Sequence, residues 1–270
     1  MRTFHYFCYC LCFTLGVASC TSHLEKATAY YDEGKFELAL EHFEEALAIE
    51  PRNPIRIYNV ARCHEELENY EEAVDYFSES IKHSNNPLDG MLGRGRCNFK
   101  QAKYEYALID FKNALKVDKN NAEVLYLAGL SYLKDSMYNE AVYAFSKLIK
   151  VAPEREMARY NRGIANAARG NTAYALVDFN YLIKKSALLK NAYYNRGFVY
   201  QHMENYAAAA HDYTEAIKNG LINENIYLRR ATCFLELQRT EKACEDIKRL
   251  NQFNKKLANE YRTKYCASIL

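Results

Sequence analysis

Two identical tetrapeptides, 34 residues apart, constrain the fold of this chain more than any other feature. Tyr-Asn-Arg-Gly occupies positions 160–163 and again positions 194–197. When the chain is aligned with itself at this period, one column contains only alanine and another only glycine or alanine. The first is Ala39, Ala73, Ala107, Ala141, Ala175, Ala209 and Ala243, and the second is Ala27, Ala61, Gly95, Gly129, Gly163, Gly197 and Ala231. Seven copies in register indicate an array of one repeated unit.

The best-preserved copy, residues 192–220, shows what each unit is. Its apolar pattern predicts two amphipathic helices joined by a short turn near residues 204–206. Small residues where the helices cross allow close packing. A bulky column follows each alanine by four residues: Phe43, Phe77, Phe111, Phe145, Phe179, Tyr213 and Ile247.

This pattern resembles the tetratricopeptide repeat (TPR) from Cys20 to about Leu257. The resemblance implies an all-α fold, a right-handed superhelical solenoid of seven helix-turn-helix repeats. The expected bounds are 20–53, 54–87, 88–121, 122–155, 156–189, 190–223 and 224–257. A C-terminal capping helix is expected over 258–270, with Tyr261 and Tyr265 covering the last repeat.

Residues 1–19 lie outside the repeats and have the pattern of a signal peptide. Phe4 to Ala18 is apolar and follows Arg2. The sequence Val17-Ala18-Ser19-Cys20 resembles the bacterial lipobox, which implies lipidation of Cys20, including a palmitate-type acyl chain, and a membrane anchor. The absence of Asp after Cys20 favours the periplasmic face of the outer membrane. An ordinary secretory signal, an uncleaved anchor or a buried first helix are the alternatives.

Patterns typical of enzymes are incomplete. His64-Glu65-Glu66 lacks the second histidine of a zinc protease, and Gly93-Arg94-Gly95 lacks the third glycine of a dinucleotide loop. We find neither a glycine-lysine phosphate loop nor a nucleophile elbow. The net charge of +2 gives no global field that would favour nucleic acid. The sequence therefore predicts a non-enzyme with no catalytic, cofactor or metal site.

Three cysteines share one column with small residues. Cys63, Cys97 and Cys233 align with Ala29, Ser131, Ala165 and Val199, which predicts small buried side chains. Successive repeats would hold these thiols too far apart for a disulfide. Cys244 and Cys266 carry no stronger signal.

The candidate binding surface is the inner, concave face, which the first helix of each repeat is expected to form. Large aromatic and hydrogen-bonding side chains suit recognition of a peptide in such a groove. The predicted contacts are Tyr58, Asn59, Arg62, Arg96, Phe99, Tyr126, Tyr160, Asn161, Tyr194, Asn195, Phe198 and Arg229. The chaperone-type clamp for a C-terminal carboxylate is not expected, since only Asn59 matches it among Leu24, Thr28, Asn59, Asp89 and Gly93.

Two readings of this surface stay open. The Tyr–Asn series contacts a ligand, or it bridges one repeat to the next. A second arginine column, Arg94, Arg162, Arg196 and Arg230, is expected to pack its stems between helices while its heads form ion pairs.

The resemblance implies a membrane-anchored scaffold or assembly factor that binds a protein or peptide partner. It resembles the outer-membrane TPR lipoproteins that help to assemble pilus or secretin channels. The alternatives are a periplasmic component that binds a small hydrophobic ligand, or a cytosolic adaptor if the N-terminus is not a signal. Apolar Ile269 and Leu270 suggest a homo-oligomer contact through the C-terminal helix.

Overall fold

The structure, a computed structural model, describes residues 23–267, and all of its regular elements are α-helices. The all-α prediction is confirmed. Fourteen helices form seven consecutive helix-turn-helix pairs, and one more follows. They are α1 (residues 23–32), α2 (Phe36–Ile49), α3 (Pro54–Glu66), α4 (Tyr70–His83), α5 (Leu88–Lys100), α6 (Tyr104–Val117), α7 (Ala122–Lys134), α8 (Tyr138–Val151), α9 (Glu156–Ala168), α10 (Thr172–Lys184), α11 (Leu189–His202), α12 (Tyr206–Lys218), α13 (Glu224–Glu236), α14 (Thr240–Leu250) and α15 (Lys255–Tyr265).

The chain divides into two compact units, Met1–Asp135 and Ser136–Leu270. The described part of the first unit holds α1 to α7, and that of the second holds α8 to α15. The predicted signal segment 1–19, the lipidation candidate Cys20, and Ile269 and Leu270 lie outside the described residues. Within residues 23–267, none of the helices is both long and apolar enough to cross a membrane.

A residue with positive φ stands two positions before the second helix of every pair. In the second pair, the φ of Glu68 is 60°, and the next amide, that of Asn69, donates to His64 O at 2.9 Å. This bond satisfies a carbonyl at the end of α3 and turns the chain into α4. The equivalent residues are Gly34, Glu68, Ala102, Ser136, Gly170, Glu204 and Gln238.

In the repeats that lie within one unit, the small column lies against the bulky column of the same repeat. A Cβ built on Gly95 would lie 2.5 Å from Phe111 Cε1, and one on Gly163 would lie 2.8 Å from Phe179 Cε1. Both rings are fully buried. The two helices of a repeat are thus close enough at the crossing to exclude a side chain, as the sequence predicted.

The second arginine column forms a clamp that joins three helices. In each case the guanidinium donates twice to an aspartate on the second helix of its own repeat. Its Nη1 donates to a hydroxyl or amide oxygen on the second helix of the preceding repeat. The sets are Arg94 with Asp110 and Ser78, Arg162 with Asp178 and Ser146, Arg196 with Asp212 and Asn180, and Arg230 with Asp246 and Thr214. The expected ion pairs are confirmed.

The C-terminal helix begins earlier than the sequence analysis placed it. It runs Lys255–Tyr265 rather than from 258, because Asn254 caps it by accepting a hydrogen bond from the Leu257 amide at 3.0 Å. Tyr261 and Tyr265 pack against buried Ala231, Ala243 and Ile247, as expected of a cap.

A disulfide joins the cap to the last repeat. Cys244 on α14 is bonded to Cys266, directly after α15, with a Cα–Cα distance of 5.9 Å. The sequence analysis did not anticipate this pairing. Cys63, Cys97 and Cys233 are free and fully buried, as predicted.

Candidate functional site

The first helices of neighbouring repeats lie side by side in each unit. We call the surface that they form the first-helix face: α1, α3, α5 and α7 in the first unit, and α9, α11 and α13 in the second. Contacts between side chains of neighbouring first helices identify this face, since residues 31 or 35 positions apart meet there. All twelve predicted contact residues belong to first helices.

In the first unit, the Arg62 guanidinium is held by two aromatic rings. It lies 4.2 Å from the centroid of Tyr31 and 5.9 Å from that of Tyr58. Tyr31 donates its hydroxyl hydrogen to Glu66 Oε1 at 3.1 Å, and burial raises the pKa of Tyr31 to about 12. Within residues 23–267, no carboxylate lies at ion-pair distance from Arg62. Its charge is oriented by cation–π contacts and has no acidic partner there.

Arg96, one repeat further on, is fully engaged. Its Nε and Nη2 donate to the two carboxylate oxygens of Glu65 at 2.6 and 2.9 Å, and its Nη1 reaches Glu123 at 3.3 Å. Hydrogen bonding to Glu65 is the main reason that the Arg96 pKa is raised. A bidentate ion pair of this kind is among the strongest side-chain contacts. Arg96 therefore ties repeats together and offers less to a ligand than Arg62.

The remaining predicted contacts of the first unit are half-buried. Phe99 packs edge-on against Tyr104 with ring centroids 5.5 Å apart. Asn59 and Tyr126 are also partly exposed. Asn59 lies one helical turn before Arg62 on α3, so the half-buried set around Arg62 contains an aromatic ring, an amide and a guanidinium.

In the second unit the Tyr–Asn series bridges repeats. Asn195 Nδ2 donates to the Tyr160 hydroxyl at 2.9 Å, and Arg229 Nε donates to the Tyr194 hydroxyl at 3.2 Å. Arg229 also lies 4.6 Å from the Phe198 ring centroid. Both hydrogen bonds join residues 35 positions apart, one in each of two successive repeats. These five side chains thus stabilise the stacking, whatever else they contact.

Asn161 differs from its column neighbours Asn59 and Asn195. It is only 5% exposed, and its Nδ2 has no acceptor within the described part of the chain. An unpaired buried amide costs about 1–3 kcal/mol. The structure therefore places Asn161 inside the repeat, away from a surface that a ligand would reach.

Two equivalent cavities lie elsewhere, beside the arginine clamps, and the sequence analysis missed them. Their volumes are about 480 and 420 Å³. The same columns line both, 68 residues apart: Val74 and Val142, Ser78 and Ser146, Arg94 and Arg162, Asn98 and Asn166, Tyr106 and Tyr174, Asp110 and Asp178. The identity of these six columns over two repeat lengths is the signal that would have revealed them.

Each of these cavities combines an exposed ring with a buried amide. Tyr106 and Tyr174 are 62% and 67% exposed, whereas Asn98 and Asn166 are 7% and 4% exposed. No residue of the Tyr–Asn series lines either cavity.

A comparison with known protein families matches the repeats described above. A family model described as tetratricopeptide repeat matches residues 24–89, 126–187 and 194–252, which is more than half of the chain. The chain belongs to the tetratricopeptide repeat family. Members of this family are generally non-enzymatic scaffolds for protein–protein interaction, and the stacked TPR hairpins of this chain have that architecture.

Solved TPR structures share the fold over most of the chain. A TPR protein from Parabacteroides merdae ATCC 43184 is 24% identical with a TM-score of 0.67, and the match covers 90% of this chain and 97% of that one. The C-terminal part of a TPR repeat-containing protein from Cytophaga hutchinsonii is 15% identical with a TM-score of 0.74, covering 88% and 98%. YrrB, described as a TPR protein with an unusual peptide-binding site, is 20% identical with a TM-score of 0.59, covering 74% and 97%.

One curated relative matches over a short stretch. The Hsp70-Hsp90 organising protein of Plasmodium falciparum (isolate 3D7) is 36% identical to this TPR chain over 64 residues. The match covers 24% of this chain and 11% of that protein. It adds to the family assignment.

Proposed function

We propose that this TPR protein is a membrane-anchored scaffold that binds an acidic, extended segment of a partner protein on its first-helix face. The observation that carries the proposal is Arg62, whose guanidinium is oriented by Tyr31 and Tyr58 and has no carboxylate partner within residues 23–267. A preoriented guanidinium binds a carboxylate with little loss of side-chain entropy.

The neighbours of Arg62 fit a peptide. Tyr58 is half-buried, which leaves part of its ring and its hydroxyl group for a partner. Ile55, one turn before Asn59 on α3, is 69% exposed and offers an apolar contact on the same helix. An aromatic ring, an amide, a cation and an apolar side chain on one helix match the few-anchor mode of peptide recognition.

The experiment is site-specific photocrosslinking in cells. A benzophenone amino acid replaces Asn59 in the full-length protein, and captured partners are identified by mass spectrometry. We expect a discrete adduct that Arg62→Ala reduces at least tenfold. The matched control is Arg52→Ala, which removes the same charge from an exposed turn and should leave capture intact.

The result that contradicts the proposal is equal capture by Arg62→Ala and Arg52→Ala. Far-UV circular dichroism of both variants checks that the helices are retained. The segment of a captured partner that binds can then be studied as a peptide. Replacing the acidic side chains of this peptide by amides should weaken binding as much as Arg62→Ala does.

The membrane anchor is the second part of the proposal, and it rests on Val17-Ala18-Ser19-Cys20. The Cys244–Cys266 disulfide supports it, since disulfides persist mainly in oxidising compartments outside the cytosol. The first described helix starts at residue 23, so a lipid on Cys20 would hold the first repeat within a few residues of the bilayer.

Metabolic labelling with an alkyne analogue of palmitate tests the anchor. The wild-type protein should be labelled, and Cys20→Ala should not. Cys12→Ala changes a cysteine in the same segment and should keep the label. Absence of label on the wild-type protein, when expressed in a bacterium that processes lipoproteins, would contradict this part and leave the Arg62 test unaffected.

A further inference from the structure

We propose that His23, His42 and Glu45 form a binding site for one divalent transition metal ion, with Zn²⁺ as the best fit. These residues belong to the first repeat, and none of them takes part in the contacts of Arg62 with Tyr31 and Tyr58. The sequence patterns gave no indication of this site, because its ligands come from two helices and only two of them share a recognisable spacing. The proposal is independent of peptide binding.

Three potential ligand atoms converge on one point. His23 Nδ1 lies 2.6 Å and His42 Nδ1 lies 2.8 Å from the same carboxylate oxygen, Glu45 Oε2. The two Nδ1 atoms are 3.4 Å apart. Ligands about 2.0–2.1 Å from a tetrahedral zinc ion are separated by roughly 3.3 Å. The spacing of the two imidazoles already matches this, and the carboxylate oxygen needs to withdraw by about 0.5–0.7 Å.

The local structure holds these side chains in place. His42 and Glu45 are three residues apart on α2, so they share one face of that helix. His23 approaches from α1, and the Tyr30 ring stacks on His42 with an interplanar angle of 7°. His23 and His42 are half-buried and Glu45 is exposed. A metal bound here keeps an open side for water, as in three-ligand zinc sites.

The donor set determines the class of ion. Two neutral imidazoles and one carboxylate suit zinc and its neighbours in the first transition row, whereas magnesium and calcium require mainly oxygen ligands. The two imidazoles cannot both direct Nδ1 lone pairs at each other favourably. An ion between them accepts both lone pairs together with that of Glu45, and this satisfies all three groups at once.

The position of His42 in the repeat gives a structural reason for a metal. His42 occupies the column that holds Asp110, Asp178, Asp212 and Asp246, the acidic halves of the arginine clamps. The arginine column holds Lys26 in the first repeat, and that side chain is exposed. The first hairpin thus lacks the clamp that joins the two helices of four later repeats. A metal held by His23 and His42 joins α1 to α2 near the position that the clamp occupies in those four repeats.

Zinc binding is measured on the purified full chain by competition with a chromogenic chelator. We expect one equivalent to bind, and His23→Ala, His42→Ala and Glu45→Gln each to weaken binding at least tenfold. The matched control is His83→Ala. His83 forms a histidine–glutamate pair with Glu79 at 2.7 Å on α4, but within residues 23–267 no third ligand accompanies it. This variant should bind zinc like the wild type.

A second readout does not depend on affinity alone. Zinc should slow backbone hydrogen exchange in α1 and α2 of the wild-type protein, and it should have no such effect in His42→Ala. Magnesium at the same concentration should leave exchange unchanged. The proposal is overturned if the wild-type protein and a His23→Ala/His42→Ala variant bind zinc with equal affinity, or if His83→Ala loses as much affinity as His42→Ala.

Discussion

The Arg162 guanidinium donates to both carboxylate oxygens of Asp178, at 2.9 and 2.7 Å, and Asp178 is only 1% exposed. Sixteen residues separate the two side chains in sequence, and the same separation recurs in three other repeats. In the remaining three repeats both partners are replaced together, and the first of these repeats holds Lys26 and His42. Val60 and Tyr76 stand in the second, and Ala128 and Ala144 in the third. Arginine and aspartate thus occur in these two columns only as pairs.

This pairing predicts a large loss of stability when one partner is removed. Asp178→Ala leaves a partly buried guanidinium uncompensated and should lower the free energy of unfolding by about 3 kcal/mol. Arg162→Ala/Asp178→Ala copies the alanine pair at positions 128 and 144 and should cost less than the sum of the two single changes. Urea denaturation in a double-mutant cycle measures the coupling. Strict additivity would contradict the clamp.

Gly93 is expected to resist substitution although it lies within a helix. A Cβ on Gly93 would overlap the tip of the Phe77 ring. Gly93→Ala gains about 1 kcal/mol in helix propensity but meets an overpacking cost of about 1–3 kcal/mol, so we expect net destabilisation. Gly197→Ala is the control, since its Cβ would lie 3.1 Å from Tyr213. Thermal unfolding of both variants should separate them, and equal melting temperatures would refute the argument.

The left-handed turn residues offer a stabilising change. Glu68 has φ of 60° and an exposed side chain. The left-handed conformation costs a non-glycine residue about 1–2 kcal/mol, and a glycine removes this cost. Part of the gain is offset, because glycine loses more chain entropy on folding. Glu68→Gly should therefore raise the stability by about 0.5–1 kcal/mol. Glu72→Gly, at an exposed position inside α4, should lower it by about 1 kcal/mol. Urea denaturation of both variants gives the sign of each change in stability. A loss of stability with Glu68→Gly would contradict the prediction.

Burial raises the pKa of the Cys63, Cys97 and Cys233 thiols from the ordinary value of 9.0 to about 12. Because the folded pKa exceeds the unfolded one, the contribution of these thiols to stability is complete below pH 9. It is lost as the pH rises from about 9 towards 12. At pH 8 they are protonated and shielded.

Alkylation with iodoacetamide at pH 8, followed by peptide mass spectrometry, checks this thiol protection. The native protein should show no label at Cys63, Cys97, Cys233, Cys244 or Cys266. Mild reduction should expose only Cys244 and Cys266. Labelling of Cys97 before unfolding would show that its surroundings open more readily than the structure implies.

The sequence predicts most of the fold because the repeat sets it locally. Alanine and glycine mark the helix crossings, and Phe111 or Phe179 fills the space beside them, so the period alone indicates which side chains meet within a unit. The ion pairs of Arg162 and Arg196 follow in the same way from a fixed spacing. The buried cysteine column follows from its small neighbours.

Contacts between repeats and at the ends of the array are harder to predict. Tyr160 meets Asn195 only because neighbouring first helices stack with a shift of 35 residues, and the period of 34 does not reveal this. Arg62 and Arg96 share a column, yet one lies between rings and the other is paired with Glu65. The Cys244–Cys266 disulfide depends on where α15 lies, and that helix is not one of the seven copies.

The third contact of each arginine clamp restricts the order in which repeats can follow one another. Every clamp arginine donates a hydrogen bond to a side-chain oxygen of the repeat before it. The acceptors are Ser78, Ser146, Asn180 and Thr214. The same column holds Lys112 before the repeat that contains Ala128. Deleting residues 156–189 would leave Ser146 to face Arg196, a matched junction. Deleting residues 122–155 would bring Lys112 against Arg162, two cations. The modules of this chain are therefore not interchangeable, and gain or loss of a repeat is tolerated only at junctions whose edges match.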